Sequence, residues 1–370
     1  MRSWVAAALL GLVIAPVCFS EACAQTSDVA AFKVGVTSRH IFPKEPYDWR
    51  GAGSHALQEV VWYPAEADAK PKPQLIPPVG QALFEAAPAA PDAKLAASPA
   101  KFPLILLSHG TGGTAQSLAW LATALAARGY IVAGVNHPGN TAIEPYTLQG
   151  FALWWLRAKD ITAVLDDILA DPDFAPRIDP QHIGAAGFSL GGYTVIELAG
   201  GLTSRRDFDQ YCKTEHDPVS CKAPPEFPDL LAKAGALAAS DPAFATALAG
   251  AGKSYRDPRI RAAFAIAPAI GPAVTAESLA TIEIPVAIVA GAGDRIVPVR
   301  ANARYYANKI PRVALTVLPG DVDHYTFLGD CTAFGRSTIP QLCVDRGTVN
   351  RDAVHAATIG LAAKFFADHL

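Results

Sequence analysis

The segment Gly187-Phe188-Ser189-Leu190-Gly191-Gly192 lies between two apolar runs, His182–Gly187 and Tyr193–Ala199. A buried strand must therefore pass into a helix within very few residues. A serine at such a turn is pushed into strained dihedrals, and its hydroxyl stands exposed above the sheet edge. The flanking glycines remove Cβ atoms that would otherwise collide at the turn. In this strand-to-helix setting Gly-x-Ser-x-Gly marks Ser189 as a candidate nucleophile rather than one more residue of a glycine-rich turn.

A serine hydroxyl is a weak nucleophile until a base takes its proton, and the base needs a third group to fix its tautomer. At serine turns of this kind the partners follow in the order acid, then histidine. Asp294 stands where the apolar run Ile288-Val289-Ala290 breaks into Gly291-Ala292-Gly293 and then presents a carboxylate. His324 follows in Pro319-Gly320-Asp321-Val322-Asp323-His324, after the apolar run ending at Leu318. Of the nine histidines only His324 occupies that slot; His40, His55, His182, His216, His355 and His369 read as surface or packing residues. Asp321 and Asp323 compete weakly with Asp294, because a residue adjacent to the histidine scarcely reaches across its ring. They read as loop-shaping carboxylates. A tetrahedral intermediate also needs N–H donors. Ser108-His109-Gly110-Thr111-Gly112-Gly113 follows the apolar run Leu104–Ser108, which makes the Thr111 N–H one candidate donor and the Leu190 N–H the other. No Gly-Lys-Ser/Thr follows these glycines, so a phosphate-cradling loop is disfavoured. His109 reads as a brace for the loop. Asn136-His137-Pro138-Gly139-Asn140 reads as a structural turn at the same sheet edge, and Trp154 and Trp155 as pocket wall or core.

The chain has 370 residues, 51% of them hydrophobic and 18% charged, with a net charge of −3. That composition describes an ordered globular protein and offers no basic run for nucleic acid or a membrane surface. Arg2, the apolar run Val5–Val17 and the small residues Ala22-Cys23-Ala24 form a leader of residues 1–24, with cleavage expected after Ala24. The apolar run falls short of the roughly 20 residues needed to span a bilayer, so no stable membrane anchor is expected, and the product is secreted or periplasmic. Cys212, Cys221, Cys331 and Cys343 remain after the leader, an even number in an oxidising compartment. Pairing Cys212 with Cys221 and Cys331 with Cys343 is favoured over a zinc site, for which no Cys-x-x-Cys or neighbouring histidine pair speaks.

Strand-like runs alternate with helix-like stretches, the pattern of a single α/β domain over 25–370 with a mostly parallel central sheet flanked by helices. Strands are expected at 31–36, 57–63, 104–108, 130–136, 182–187, 260–265, 286–290 and 313–318. Helices are expected around 117–127, 153–169, after Ser189, and from Arg351. For the last, Asn350 is the N-cap and Val354, Ala357, Leu361 and Phe365 face the core. Pro64–Pro103, rich in proline and alanine, reads as a surface excursion. Residues 204–257 are too long for a simple connection and read as an insertion with helices around 227–239 and 243–251.

Leu107-Ser108-His109-Gly110, Val135-Asn136-His137-Pro138-Gly139-Asn140, Gly187–Gly192 and Gly291–Pro298 together resemble the platelet-activating-factor acetylhydrolase-like branch of the α/β hydrolases. They also resemble its bacterial relatives known as predicted dienelactone hydrolases. The resemblance implies the α/β-hydrolase fold with residues 204–257 as a cap. It also implies a cofactor-independent, metal-free serine esterase with Ser189 as nucleophile, Asp294 as acid, His324 as base, and Thr111 and Leu190 as oxyanion donors. Two departures narrow it: dienelactone hydrolases carry cysteine where this chain has Ser189, and the acetylhydrolases carry histidine where it has Phe188. The expected activity is hydrolysis of small to medium, or lipid-like, esters. An extracellular polyester or lipid depolymerase is the alternative, and a non-catalytic binding protein on the same scaffold a third reading.

Overall fold

The computed structural model describes residues 32–44, 47–76, 80–215 and 219–370, so the expected leader of residues 1–24 lies outside the described residues. The strands, in chain order, are β1 (Lys33–Ile41), β2 (Leu57–Ala65), β3 (Lys72–Ile76), β4 (Phe84–Pro91), β5 (Phe102–Ser108), β6 (Ile131–Asn136), β7 (Ile178–Phe188), β8 (Ala262–Ile266), β9 (Val286–Gly291), β10 (Val313–Leu318) and β11 (Asp330–Cys331). Among the described residues they make one 11-stranded sheet in the order β10-β9-β8-β7-β5-β6-β2-β1-β4-β11, with β3 on β4. From β5 through β10 neighbours run parallel, while β2 is antiparallel to both β1 and β6.

The central strands read as unbroken apolar runs because both faces are covered. Side chains alternate across β5: Leu104 and Leu106 enter one core, Ile105 and Leu107 the other. The first core is closed by the helices Arg157–Ile168 and Leu190–Ala199, through Ile161, Leu165, Val195 and Leu198. The second is closed by Ala119–Ala126 and the C-terminal helix Arg351–His369, through Leu121, Leu125, Val354 and Phe366. Asn350 caps that last helix by accepting from Ala353 N–H at 3.0 Å. Its buried face differs from the expected one. Ala357 is exposed and Leu361 half-buried, while Thr358 and Ala362 are buried beside Val354 and Phe365. Thr358 is admissible there because its hydroxyl donates to the Val354 carbonyl at 2.8 Å.

Two further expectations are corrected and a third is extended. Residues 64–103 are not a plain excursion but contribute β3 and β4. The prolines obscure these strands because they shorten each pairing: β4 meets β1 at only two positions, and the β3–β4 register shifts across Pro73. The expected 153–169 helix is broken at Leu153 (φ −105°, ψ 47°) into Leu148–Ala152, a 3₁₀ turn at Trp154–Leu156, and Arg157–Ile168. Residues 204–257 carry the helices Leu230–Ser240 and Pro242–Leu248 near their expected places, and in addition Arg205–Thr214. Leu230, Ala234 and Phe244 from this segment are buried against Phe151, Trp155 and Leu156. Both favoured disulfides are formed, Cys212–Cys221 and Cys331–Cys343.

Phe366 is fully buried between the C-terminal helix and the sheet. Phe366→Ala is expected to lower unfolding stability by about 3–5 kcal/mol, read from urea denaturation; a loss under about 1 kcal/mol would contradict this packing.

Candidate active site

β7 ends at Phe188 and the next helix starts at Leu190, so Ser189 alone makes the turn, at φ 57° and ψ −118°. Its N–H donates to Ile266 O (2.8 Å), and its carbonyl accepts from Ala269 N–H (3.0 Å) and Tyr193 N–H (3.1 Å). The neighbouring glycines are obligatory for contact reasons. A Cβ on Gly187 would lie 2.2 Å from Gly191 O, and one on Gly191 would lie 1.9 Å from Ser108 O.

His324 opens the 3₁₀ turn His324–Phe327 after β10. Its Nε2 lies 2.9 Å from Ser189 Oγ, and its Nδ1 lies 2.8 Å from Asp294 Oδ2. Asp294, after β9, is fixed by its other oxygen, which accepts from Ile296 N–H (2.9 Å) and Val297 N–H (2.6 Å). His324 Nδ1–H donates to this carboxylate, which leaves Nε2 unprotonated and able to accept from the serine hydroxyl. All three residues are buried. Asp323 instead caps the turn through His324 N–H (2.8 Å) and pairs with Arg346 (3.0 Å) and Arg295 (3.4 Å), while Asp321 stands 4.0 Å from Arg346. Phe188 lies against the His324 ring at 4.8 Å and is buried with it.

The turn carrying His324 is held from the C-terminal helix. His355 Nε2 donates to Leu328 O (2.9 Å) and Thr326 O (3.1 Å), and its ring stacks on Trp120 at 4.0 Å. Burial, followed by the nearby Arg351, pushes the His355 pKa down to about 4.

Across Ser189, the loop after β5 comes so near that a Cβ on Gly110 would lie 3.2 Å from Ser189 Cβ. Gly110 O accepts from His109 Nδ1 (2.6 Å) and Gly113 N–H (3.2 Å). Because the peptide is trans, fixing that carbonyl aims the Thr111 N–H the opposite way. Among the described residues the Thr111 N–H makes no hydrogen bond, and Leu190 N–H, at the first helical position, has no helical acceptor. Both sequence-selected donors are thus unengaged.

Beneath this loop lies a set of residues whose importance the sequence reading did not recognise. Ser108 Oγ donates to His137 Nε2 (2.9 Å), and His137 Nδ1 donates to Asp160 Oδ2 (2.7 Å). Asp160 also accepts twice from Arg50 Nη2 (2.7 and 2.8 Å) and once from Tyr47 (2.6 Å). Burial holds both His109 and His137 well below the ordinary histidine range, with Arg157 adding to the effect. His109 braces the loop as expected, through Gly110, and its Nε2 accepts His137 N–H at 3.2 Å. The sequence did hold one signal: Arg157 and Asp160 fall in the same helical stripe as Ile161, Val164 and Ile168, where charges belong only if something buried engages them. Trp155 is fully buried core; Trp154 is half-buried.

Several known proteins resemble this chain. Residues 81–152 match the family model for platelet-activating factor acetylhydrolase, isoform II, a stretch that contains the Thr111 loop and Asn136–Asn140 but stops short of Ser189. The chain is 33% identical over 127 residues to "Putative esterase NocK" of Nocardia uniformis subsp. tsuyamanensis, covering 31% of this chain and 32% of that protein. It is 32% identical over 97 residues to a cutinase of Thermobifida alba, covering 26% of this chain and 29% of the cutinase. The matches thus span about a third or less of these relatives' length. A ferulic acid esterase from Streptomyces cinnamoneus superposes with a TM-score of 0.60 over 92% of this chain and 90% of that one, at 21% identity. The chain has the α/β-hydrolase fold. In that fold the serine turn, the acid after a later strand and the histidine after the last parallel strand converge at the carboxyl edge of the sheet, as Ser189, Asp294 and His324 do here.

Two outcomes follow from the buried groups. Asp160→Ala leaves Arg50 without its carboxylate and should cost about 3–5 kcal/mol of unfolding stability in urea at pH 7; a loss under about 1 kcal/mol would contradict the pairing. His355 is depressed in the folded state, so its contribution is present above its unfolded value near 6.5 and is lost as pH falls towards about 4. The stability gap between the native chain and His355→Gln should therefore shrink over that window. A gap that is constant or widens with acid would contradict a neutral His355.

Proposed function

We propose that the protein is an exported serine carboxylic-ester hydrolase that acts on small to medium esters through an acyl-enzyme at Ser189. One observation carries the reading: His324 bridges Ser189 Oγ and Asp294 at 2.9 and 2.8 Å, beside a loop that packs against Ser189 at Gly110. In the proposed sequence Ser189 Oγ attacks the ester carbonyl as His324 Nε2 takes its proton. Asp294 steadies the imidazolium, and the Thr111 and Leu190 N–H groups receive the negative charge on the carbonyl oxygen. Collapse expels the alcohol, which takes the proton from His324. Water, deprotonated by His324, then attacks the acyl group and frees Ser189.

The relatives are named as esterase and cutinase, which supports ester chemistry over the non-catalytic reading. Export is supported by the leader-like residues 1–24 and by the two disulfides. Residues 204–257 act in this proposal as a cap. They reach the Thr111 loop through Phe227 and Phe151 (4.8 Å), Phe151 and Tyr146 (5.3 Å), and the Tyr146 hydroxyl on Gly112 O (2.8 Å). Such a cover favours compact esters. The cutinase likeness supports a second reading, depolymerisation of polyesters.

A panel of p-nitrophenyl esters of increasing acyl length, run beside a solid polyester film, separates the two. Preference for short acyl groups with no film loss is expected; film loss would favour the depolymerase. In Ser189→Ala, fluorophosphonate labelling should vanish and kcat should fall on the order of 10⁶-fold. Turnover retained in that variant would contradict the proposal.

A further inference from the structure

Arg157 is the first residue of the helix behind the Thr111 loop, and its side chain is only 1% exposed. Among the described residues it has no carboxylate within ion-pair distance. Its guanidinium donates instead to His109 O, and through Nη1 to Asn140 Oδ1 at 3.3 Å. Asn140 Oδ1 also accepts the Gly112 N–H at 2.7 Å. Arg157 therefore grips the loop directly at His109 and through Asn140 at Gly112, one residue beyond Thr111, with the Thr111 N–H between the two points of attachment. Its Nε finds no partner.

The surroundings leave this charge unbalanced. Asp160, on the same helix, is already engaged by Arg50, His137 and Tyr47. His109 and His137 are both held neutral by burial. Tyr193, from the helix after Ser189, is pushed well above the ordinary tyrosine range by burial, so it contributes no anion. Burial lowers Arg157 itself to about 9, opposed by Asp160, which leaves it charged at neutral pH. Of the two arginines here, only Arg50 pairs with the carboxylate of Asp160. Burying an unpaired cation is costly, and the cost is sustained directly behind the place where an ester carbonyl would gain negative charge.

We infer that Arg157 is a positioning residue for the oxyanion site, clamping the Thr111 loop and placing an uncompensated positive charge behind it. The inference rests on the ester-hydrolase reading above. A neutral ester gains little from such a charge, whereas the tetrahedral oxyanion gains fully in a water-poor site. The effect therefore belongs in kcat rather than in KM.

The test compares wild type, Arg157→Met and Arg157→Lys. The readouts are p-nitrophenyl ester kinetics, inhibition by a trifluoromethyl ketone whose hemiketal carries the same oxyanion, and thermal unfolding to verify folding. Arg157→Met, which keeps bulk and loses charge, should lower kcat by about 100-fold, the order found for removing an oxyanion donor, with KM within about threefold. Its inhibition constant for the ketone should rise by the same factor as kcat/KM falls. Arg157→Lys keeps the charge but not the two-point grip, and should lose about tenfold by both measures. If Arg157→Met shows no cooperative unfolding, Arg157→Lys decides alone. A folded variant with kcat within about twofold of wild type, a loss confined to KM, or an unchanged ketone affinity overturns the inference. A wild type inert to both ester and ketone overturns the hydrolase reading, and the inference with it.

Discussion

Ser189 occupies a region of backbone space that costs a non-glycine residue about 1–3 kcal/mol. The rest of the site depends on its being held there at φ 57°. Three main-chain hydrogen bonds, to Ile266, Ala269 and Tyr193, over-determine the conformation. The glycine contacts then fix what lies around it: Gly191 sits directly on the Ser108 carbonyl, so the serine turn packs on the end of β5 with no room for a side chain between them. Since the Thr111 loop begins at that same end of β5, Ser189 and the proposed oxyanion donor Thr111 are joined through backbone contact.

Two Ser–His–Asp relays lie within this neighbourhood, and burial gives them different work. In Ser189–His324–Asp294 the serine stands at a strained turn and its histidine comes from a loop pinned by His355 and Trp120. In Ser108–His137–Asp160 the serine is in a regular strand, fully buried, and the carboxylate is clamped by Arg50. The second set is fully buried, and its hydrogen bonds brace the ends of β5 and β6 beneath the Thr111 loop. Arg157 and Asn140 extend that bracing to the two sides of Thr111.

What the sequence revealed followed local chemistry. Ser189, Asp294 and His324 each sit just past an apolar run, so strand order brings them together without knowledge of any tertiary contact. The Cys212–Cys221 and Cys331–Cys343 pairings were legible for the same reason, because both are short-range. Strands β3 and β4 were hidden because Pro73, Pro88 and Pro91 mask an extended pattern whose pairing is brief and irregular. The Arg50–Asp160–His137 cluster was hidden because its members lie 110 and 23 residues apart in the chain and meet only in the folded core. The C-terminal helix face shifted at Ala357 and Leu361 because hydrogen-bonded Thr358 takes a buried place that hydrophobic patterning alone assigns to apolar residues.

Ester hydrolysis by the proposed route requires a covalent intermediate at Ser189. The most direct test is acid quenching of the protein during turnover of an activated ester, followed by peptide mass mapping. A single acyl group on the peptide that carries Ser189, at most one per chain, is expected, and it should disappear as substrate is exhausted. Steady product release with no acyl group on Ser189, or an acyl group on another residue, would contradict that route.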